Sequence, residues 1–272
     1  MSIFPQRITL MKNLLSILCL FLGLIIFACQ SNQTEQNTPS PDPMAHLKDQ
    51  KIVSILNASF QRHGGLDKWQ QRQSMQFKKY FALYDENGTT ERAVHQEHHY
   101  VYQPNESIQI SWTQDSSQHQ IKKASDRINK WIDGQVDESA KSSSLNNTIA
   151  SATFVVDIPF KLLDKGVDLK YEGTDQLDSV TTVDVIRATY NPDQHAHHTT
   201  PDIWWYYFDQ KDARLCGYMV KHLDHYSYVR NLSYIEKDGY LLTKDRKSYR
   251  VDSLRNLLYL RADYAYSDYQ IR

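Results

Sequence analysis

Residues 75–112 read MQFKKYFALYDENGTTERAVHQEHHYVYQPNESIQISW. Met75, Phe77, Phe81 and Leu83 fall on one side of a two-residue repeat, the period of a strand with one buried face. Asp85-Glu86-Asn87-Gly88 then supplies residues that tolerate the positive φ of a tight reversal, so a second long strand over residues 91–102 returns antiparallel to the first. Ile108, Ile110 and Trp112 alternate in a third. The stretch therefore reads as an antiparallel meander.

The same pattern extends toward the C-terminus. Strands are expected over residues 127–132, 167–171, 181–190, 203–209, 214–223, 227–236, 240–244 and 262–271, with tight turns at Asp133-Gly134 and Asp238-Gly239. Two helical segments interrupt them. Ile52, Ile55, Leu56 and Phe60 recur at three- and four-residue spacing and stop at His63-Gly64-Gly65, with Leu66 and Trp69 following in a short apolar turn. Leu145, Ile149, Ala152 and Val156 share a second helical face, which Pro159 breaks before a short turn over residues 160–164 closed by Gly166. About ten or eleven strands with two helical insertions and no internal repeat point to one α+β domain over residues 48–272. A sheet of that width curls, so the expected architecture is a large, curved antiparallel sheet, an open half-barrel with helices packed on the concave face.

Composition agrees with a strand-rich chain. Aromatic residues make up 12% of the 272, with 18 Tyr against 9 Gly and 8 Pro, which favours strands over disorder. Lys and Arg number 31 and Asp and Glu 32, so no electrostatic footprint for nucleic acid is present.

The N-terminus reads as an address. Residues 14–28, LLSILCLFLGLIIFA, follow Arg7 and Lys12 and lead directly into Cys29 and a polar stretch. This apolar run is shorter than the roughly 18–20 residues a membrane-spanning helix needs, and it has the charge order of a secretory signal peptide. Ile26-Phe27-Ala28-Cys29 resembles a bacterial lipobox, with Phe27 departing from the usual small residue, so residues 1–28 are expected to be removed and Cys29 lipidated. Gln30, rather than Asp, follows Cys29, which under the enteric sorting rule directs such a protein to the outer membrane. Residues 29–47 carry three closely spaced Pro and read as a flexible tether. With Cys19 in the leader and Cys29 lipidated, Cys216 is left without a disulfide partner and is expected to be a small buried hydrophobe.

Several segments carry a resemblance. The His63-Gly64-Gly65 stop with Trp69, the Ile158-Pro159-Phe160-Lys161-Leu162-Leu163-Asp164 segment, and the pair Trp205-Tyr206-Tyr207-Phe208-Asp209 and Leu215-Cys216-Gly217-Tyr218 resemble exported bacterial lipoproteins related to the LolA/LolB-like lipoprotein-carrier superfamily. The resemblance covers about residues 50–270. It implies a curved antiparallel sheet lidded by helices over an apolar cavity that takes acyl chains. Acylation at Cys29 fits a stationary receptor better than a soluble shuttle.

Motifs for chemistry are few. His95, Glu97 and His99 would share one face of a strand, with donor types that zinc accepts, and Asp193, His195, His197, His198 and Asp202 cluster in a Pro-flanked stretch. Neither set matches an established ligand spacing, so no metal and no other cofactor is expected, and a metal-dependent hydrolase is the weaker alternative. No G-x-S-x-G or phosphate-binding Gly pattern occurs, and Ser142–Ser144 precede a helix as ordinary N-cap candidates. Trp204, Trp205, Tyr206 and Tyr207 suit a glycan-stacking platform chemically, but such runs are more often core.

The expected function is thus non-catalytic binding of an apolar ligand, the acyl part of a lipid or lipoprotein. Its expected lining is Phe77, Phe81, Ile108, Ile110 and Trp112 from the sheet with Leu145, Ile149, Phe160 and Leu163 from the helical lid. The competing reading is an envelope assembly lipoprotein with a protein partner and a dry core, because a cavity wall and a core wall have the same pattern.

Overall fold

The structure is a computed structural model that describes residues 42–191, 193–194 and 201–272. The leader, Cys29, the tether as far as residue 41, and His195, His197 and His198 lie outside the described residues. The folded unit begins at Pro43. Residues 43–46 form a turn that buries Met44 in the core, and Leu47 packs beside it.

Two helices open the fold, α1 (Gln50–Arg62) and α2 (Leu66–Gln71). Six strands follow: β1 (Ser74–Tyr84), β2 (Thr90–Val101), β3 (Ser107–Gln114), β4 (Ser117–Ala124), β5 (Arg127–Ile132) and β6 (Gln135–Val136). Helix α3 (Ser142–Asp157) and a 3-10 turn (Phe160–Leu163) lead to β7 (Val167–Gln176), β8 (Thr182–Tyr190) and β9 (Ile203–Asp209). The chain ends with β10 (Leu215–Lys221), β11 (Tyr226–Lys237), β12 (Tyr240–Val251) and β13 (Leu257–Ile271). All thirteen strands form one antiparallel sheet in the order β6-β5-β4-β3-β2-β1-β13-β12-β11-β10-β9-β8-β7. It does not close into a barrel. The expected half-barrel is therefore present, with two more strands than the upper end of the sequence reading.

That order fixes where the helices lie. Strands β6 and β7 are consecutive in sequence yet occupy opposite edges, so the segment between them, α3 and the 3-10 turn, must cross a whole face of the sheet. The face it crosses is the concave one, where α1 and α2 also pack. Asp49 caps α1 by accepting from the Lys51 and Ile52 amides. The same helix stops where the Gly65 amide donates to the Phe60 carbonyl at 2.7 Å. Ser142–Ser144 are the first helical residues of α3 rather than its cap, which is Lys141 with no side-chain bond.

The helices are joined by aromatic stacking. Trp69 stacks on Phe160 with centroids 4.6 Å apart, and Phe160 stacks in turn on Phe60 at 5.2 Å. Strand β9 shows the strict alternation of a sheet covered on both sides. Trp204, Tyr206 and Phe208 enter the main core, while Tyr207 joins a second cluster on the outer face with Val183, Val185, Cys216, Met219, Tyr228 and Val251. Trp205 packs against that cluster. The aromatic run is thus packing on both faces, and Cys216 is a buried free thiol.

His63 ties the end of α1 to the sheet. Its Nδ1 donates to the Leu241 carbonyl at 3.0 Å, and its Nε2 accepts from the Leu215 amide at 3.2 Å, a pair of bonds that only the neutral ring can make. Burial pushes its pKa down to about 4. The unfolded chain takes up a proton at His63 near pH 6.5 and the folded chain only near 4, so stability is lost as pH falls through that window. The loss at this one residue amounts to about 3 kcal/mol. His63→Gln is expected to remove this dependence, so the gap between the two proteins in urea unfolding should shrink between pH 7 and 4.5. An unchanged gap would refute the assignment.

Candidate functional site

The concave face is not filled evenly. A cavity of about 890 Å³ opens between α3 and the sheet, chiefly over β1–β5. This is within the range of small-molecule sites, roughly 300–1,000 Å³. Its sheet side is formed by inward residues at two-residue spacing: Lys79 and Phe81 of β1, Ile110 and Trp112 of β3, His119 and Ile121 of β4. Tyr218, Val229, Arg246 and Tyr264 continue the wall across β10–β13. Its lid is the mixed face of α3, on which Ser144, Asn147, Thr148 and Ser151 precede Ala152 and Val155.

Three of the expected lining residues, Phe81, Ile110 and Trp112, line this cavity. The other six are packed elsewhere. Phe77 is buried against His98 at 4.6 Å and edge-on to Tyr100, and Ile108 is buried in the core. Leu145 and Ile149 turn from the cavity into the main core, Phe160 belongs to the Trp69 stack, and Leu163 packs at the core margin. The apolar stripe of α3 thus holds the helix down, and its more polar face covers the space.

The strand cluster His95, Glu97 and His99 does share one face, the outer and exposed one. Among the described residues no group of three or more His, Cys, Asp or Glu is placed to hold a metal ion. His98, between them, points inward. Its Nε2 donates to Gln96 Oε1 at 3.2 Å and its Nδ1 accepts from the Tyr100 hydroxyl at 2.8 Å. Burial holds its pKa well below the usual histidine value. Asp202 pairs with His222 at 3.1 Å, while Asp193 turns its amide onto the Asn191 side chain.

The charges of the cavity were not anticipated. Lys79, Arg92, Lys130 and Arg246 line it, and no Asp or Glu does among the described residues. Lys130 has a counter-ion in Asp137 at 2.7 Å. Arg246 is only 6% exposed, and its guanidinium lies over Tyr264 and Tyr266 at 4.5 and 5.3 Å from their ring centres. Burial, and then the charge of Arg246, push the Lys79 ammonium down to about 7. One clue to Lys79 was present in the sequence, a charge on the inward register of Met75, Phe77 and Phe81. Arg246 sits among polar residues in β12 and gave none.

No protein-family model matches the sequence, and no curated protein matches it at a significant level. Solved structures do match in shape. A LolA superfamily protein from Nitrosomonas europaea aligns over 81% of this chain and 93% of its own, with a TM-score of 0.51 and 9% identity. A DUF1329 family protein from Desulfovibrio piger aligns over 80% and 92%, with a TM-score of 0.50 and 8% identity. At such identities the likeness is one of fold, and the fold of this chain is LolA-like.

Proposed function

We propose that this protein is a non-catalytic lipoprotein of the cell envelope, tethered to the outer membrane through Cys29, that holds the acyl part of a lipid or lipoprotein between its concave sheet and α3. The observation that carries this reading is the 890 Å³ cavity walled by Phe81, Ile110, Trp112, Ile121 and Val229. Burying apolar area at about 25 cal/mol per Å² supports useful affinity without a catalytic constellation. The LolA-like fold and the sequence reading of residues 1–28 as a leader that precedes Cys29 support the same reading.

Two measurements test it. Cys29→Ser is expected to release the protein from the membrane fraction and to abolish an acyl mass on the mature N-terminus; unchanged fractionation with no lipid on Cys29 would refute the anchor. Native mass spectrometry of the full chain carrying Cys29→Ser is expected to show co-purified lipid. Phe81→Glu, at a half-buried wall position, should remove it while the circular dichroism stays unchanged. A ligand-free mass and no uptake of added fatty acid would instead favour an assembly module with a protein partner.

A further inference from the structure

The cavity combines an apolar wall with a surplus of positive charge. Four cations and no carboxylate line it among the described residues, in a chain whose overall balance is −1. Two of those cations are withdrawn from bulk water, Arg246 buried and Lys79 half-buried. Arg246 is 94% buried, and its Nε donor has no acceptor. The rings of Tyr264 and Tyr266 meet a guanidinium through its face, whereas its N–H donors lie in its plane and need oxygen acceptors. Lys79 lies over Phe81 and Tyr264 at 5.2 and 5.5 Å from the ring centres, and no ion pair forms at it among the described residues. A buried cation without a counter-charge is costly, and Arg246 next to Lys79 adds repulsion. Nearby, His119 stacks on Trp112 at 5.1 Å and leaves its buried Nδ1 without a partner.

We propose that the ligand is an anionic amphiphile, with an oxyanion headgroup received by Arg246 and Lys79 and an acyl chain laid along Phe81, Ile110 and Trp112. The arrangement neutralises both cations and gives the Nε donor of Arg246 an acceptor, which a neutral acyl chain leaves unpaired. A carboxylate and a phosphate monoester both satisfy this chemistry. The inference rests on the cavity being a ligand site.

The test uses the full chain carrying Cys29→Ser, freed of lipid, in titration calorimetry with laurate, dodecyl phosphate, 1-dodecanol, acetate and inorganic phosphate. Laurate or dodecyl phosphate is expected to bind at least roughly tenfold tighter than dodecanol, and acetate and phosphate not measurably. Lys79→Met should bring the anionic ligands to the affinity that dodecanol shows in the same variant. Arg246→Met should do the same if it folds, and Lys79→Met decides the matter if it does not. Equal binding of laurate and dodecanol would overturn the anionic headgroup and leave the apolar cavity standing. Binding by none of the chain-bearing ligands would overturn both readings. Acetate or phosphate binding as tightly as the chain-bearing anions would overturn the amphiphile in favour of a free-anion site.

Discussion

Replacing Arg72 by Leu is expected to lower the free energy of unfolding by about 3–5 kcal/mol. Arg72 and Asp157 are both buried and meet at 2.9 Å, joining the end of α2 to the end of α3. The guanidinium is held between Trp69 and Tyr102, 4.1 and 3.8 Å from their ring centres, and it also donates to the Trp69 carbonyl. Burial already pushes the Asp157 carboxyl up to about 6 against the pull of Arg72. Without Arg72 that charge has no partner, so Asp157 must stay ionised in a dry site or take up a proton. A second substitution, Asp157→Asn, is therefore expected to restore part of the loss in Arg72→Leu, while costing stability in the wild-type background. Urea unfolding of the four proteins measures the coupling. Equal effects of Asp157→Asn in both backgrounds would show that the two residues act independently.

Gly217→Ala is expected to be as damaging, at roughly 3 kcal/mol or more. Gly217 sits at a register shift between β10 and β9, with φ +151°. A Cβ there would lie 2.1 Å from the Val229 carbonyl oxygen of the neighbouring β11. That oxygen is backbone inside the sheet and has no rotamer through which to retreat. Gly88 provides the control. It lies in the β1–β2 turn at φ +81° with nothing within 4 Å of the added methyl, so Gly88→Ala should cost only the backbone strain of about 1–2 kcal/mol. Thermal unfolding of both variants separates steric collision from strain, and similar losses would refute the collision.

Most of the sheet was legible because its strands obey the two-residue rule and end in recognisable turns. The Asp85–Gly88 reversal and the alternation in β3 and β9 needed no tertiary information. Strand β4 was missed for a physical reason. Its sequence SQHQIKKA presents Ile121 as the one strongly apolar inward residue, and the turn before it places Asp115 and Ser116 at positive φ without a glycine to announce it. Strand β6 is two residues long and leaves no periodicity to detect.

The site was legible only in part. Phe81, Ile110 and Trp112 were legible as inward residues of the sheet, and an apolar inward residue must meet either core or cavity. The choice between those two depends on where α3 crosses, which the local sequence does not encode. For Leu145 and Ile149 the apolar stripe was read correctly as inward, yet inward meant the core. The cations escaped because a charge in a strand is usually solvated, and only the register of Lys79 argued otherwise.

The position of β13 has a further consequence. Although it follows every other strand in sequence, it is the middle strand of the sheet, with Met75 opposite Ile271 on one side and Asp245 opposite Ala265 on the other. The six strands before α3 and strands β7–β12 after it share no pairing except through β13. A chain delivered from its N-terminus thus carries β1 with one edge of backbone donors and acceptors open until residues 257–271 arrive. Such an edge is a template for strand addition by another chain. Strand β13 works as a clasp rather than a border, and a chain cut at residue 256 would hold two separate half-sheets, each with an unguarded central edge.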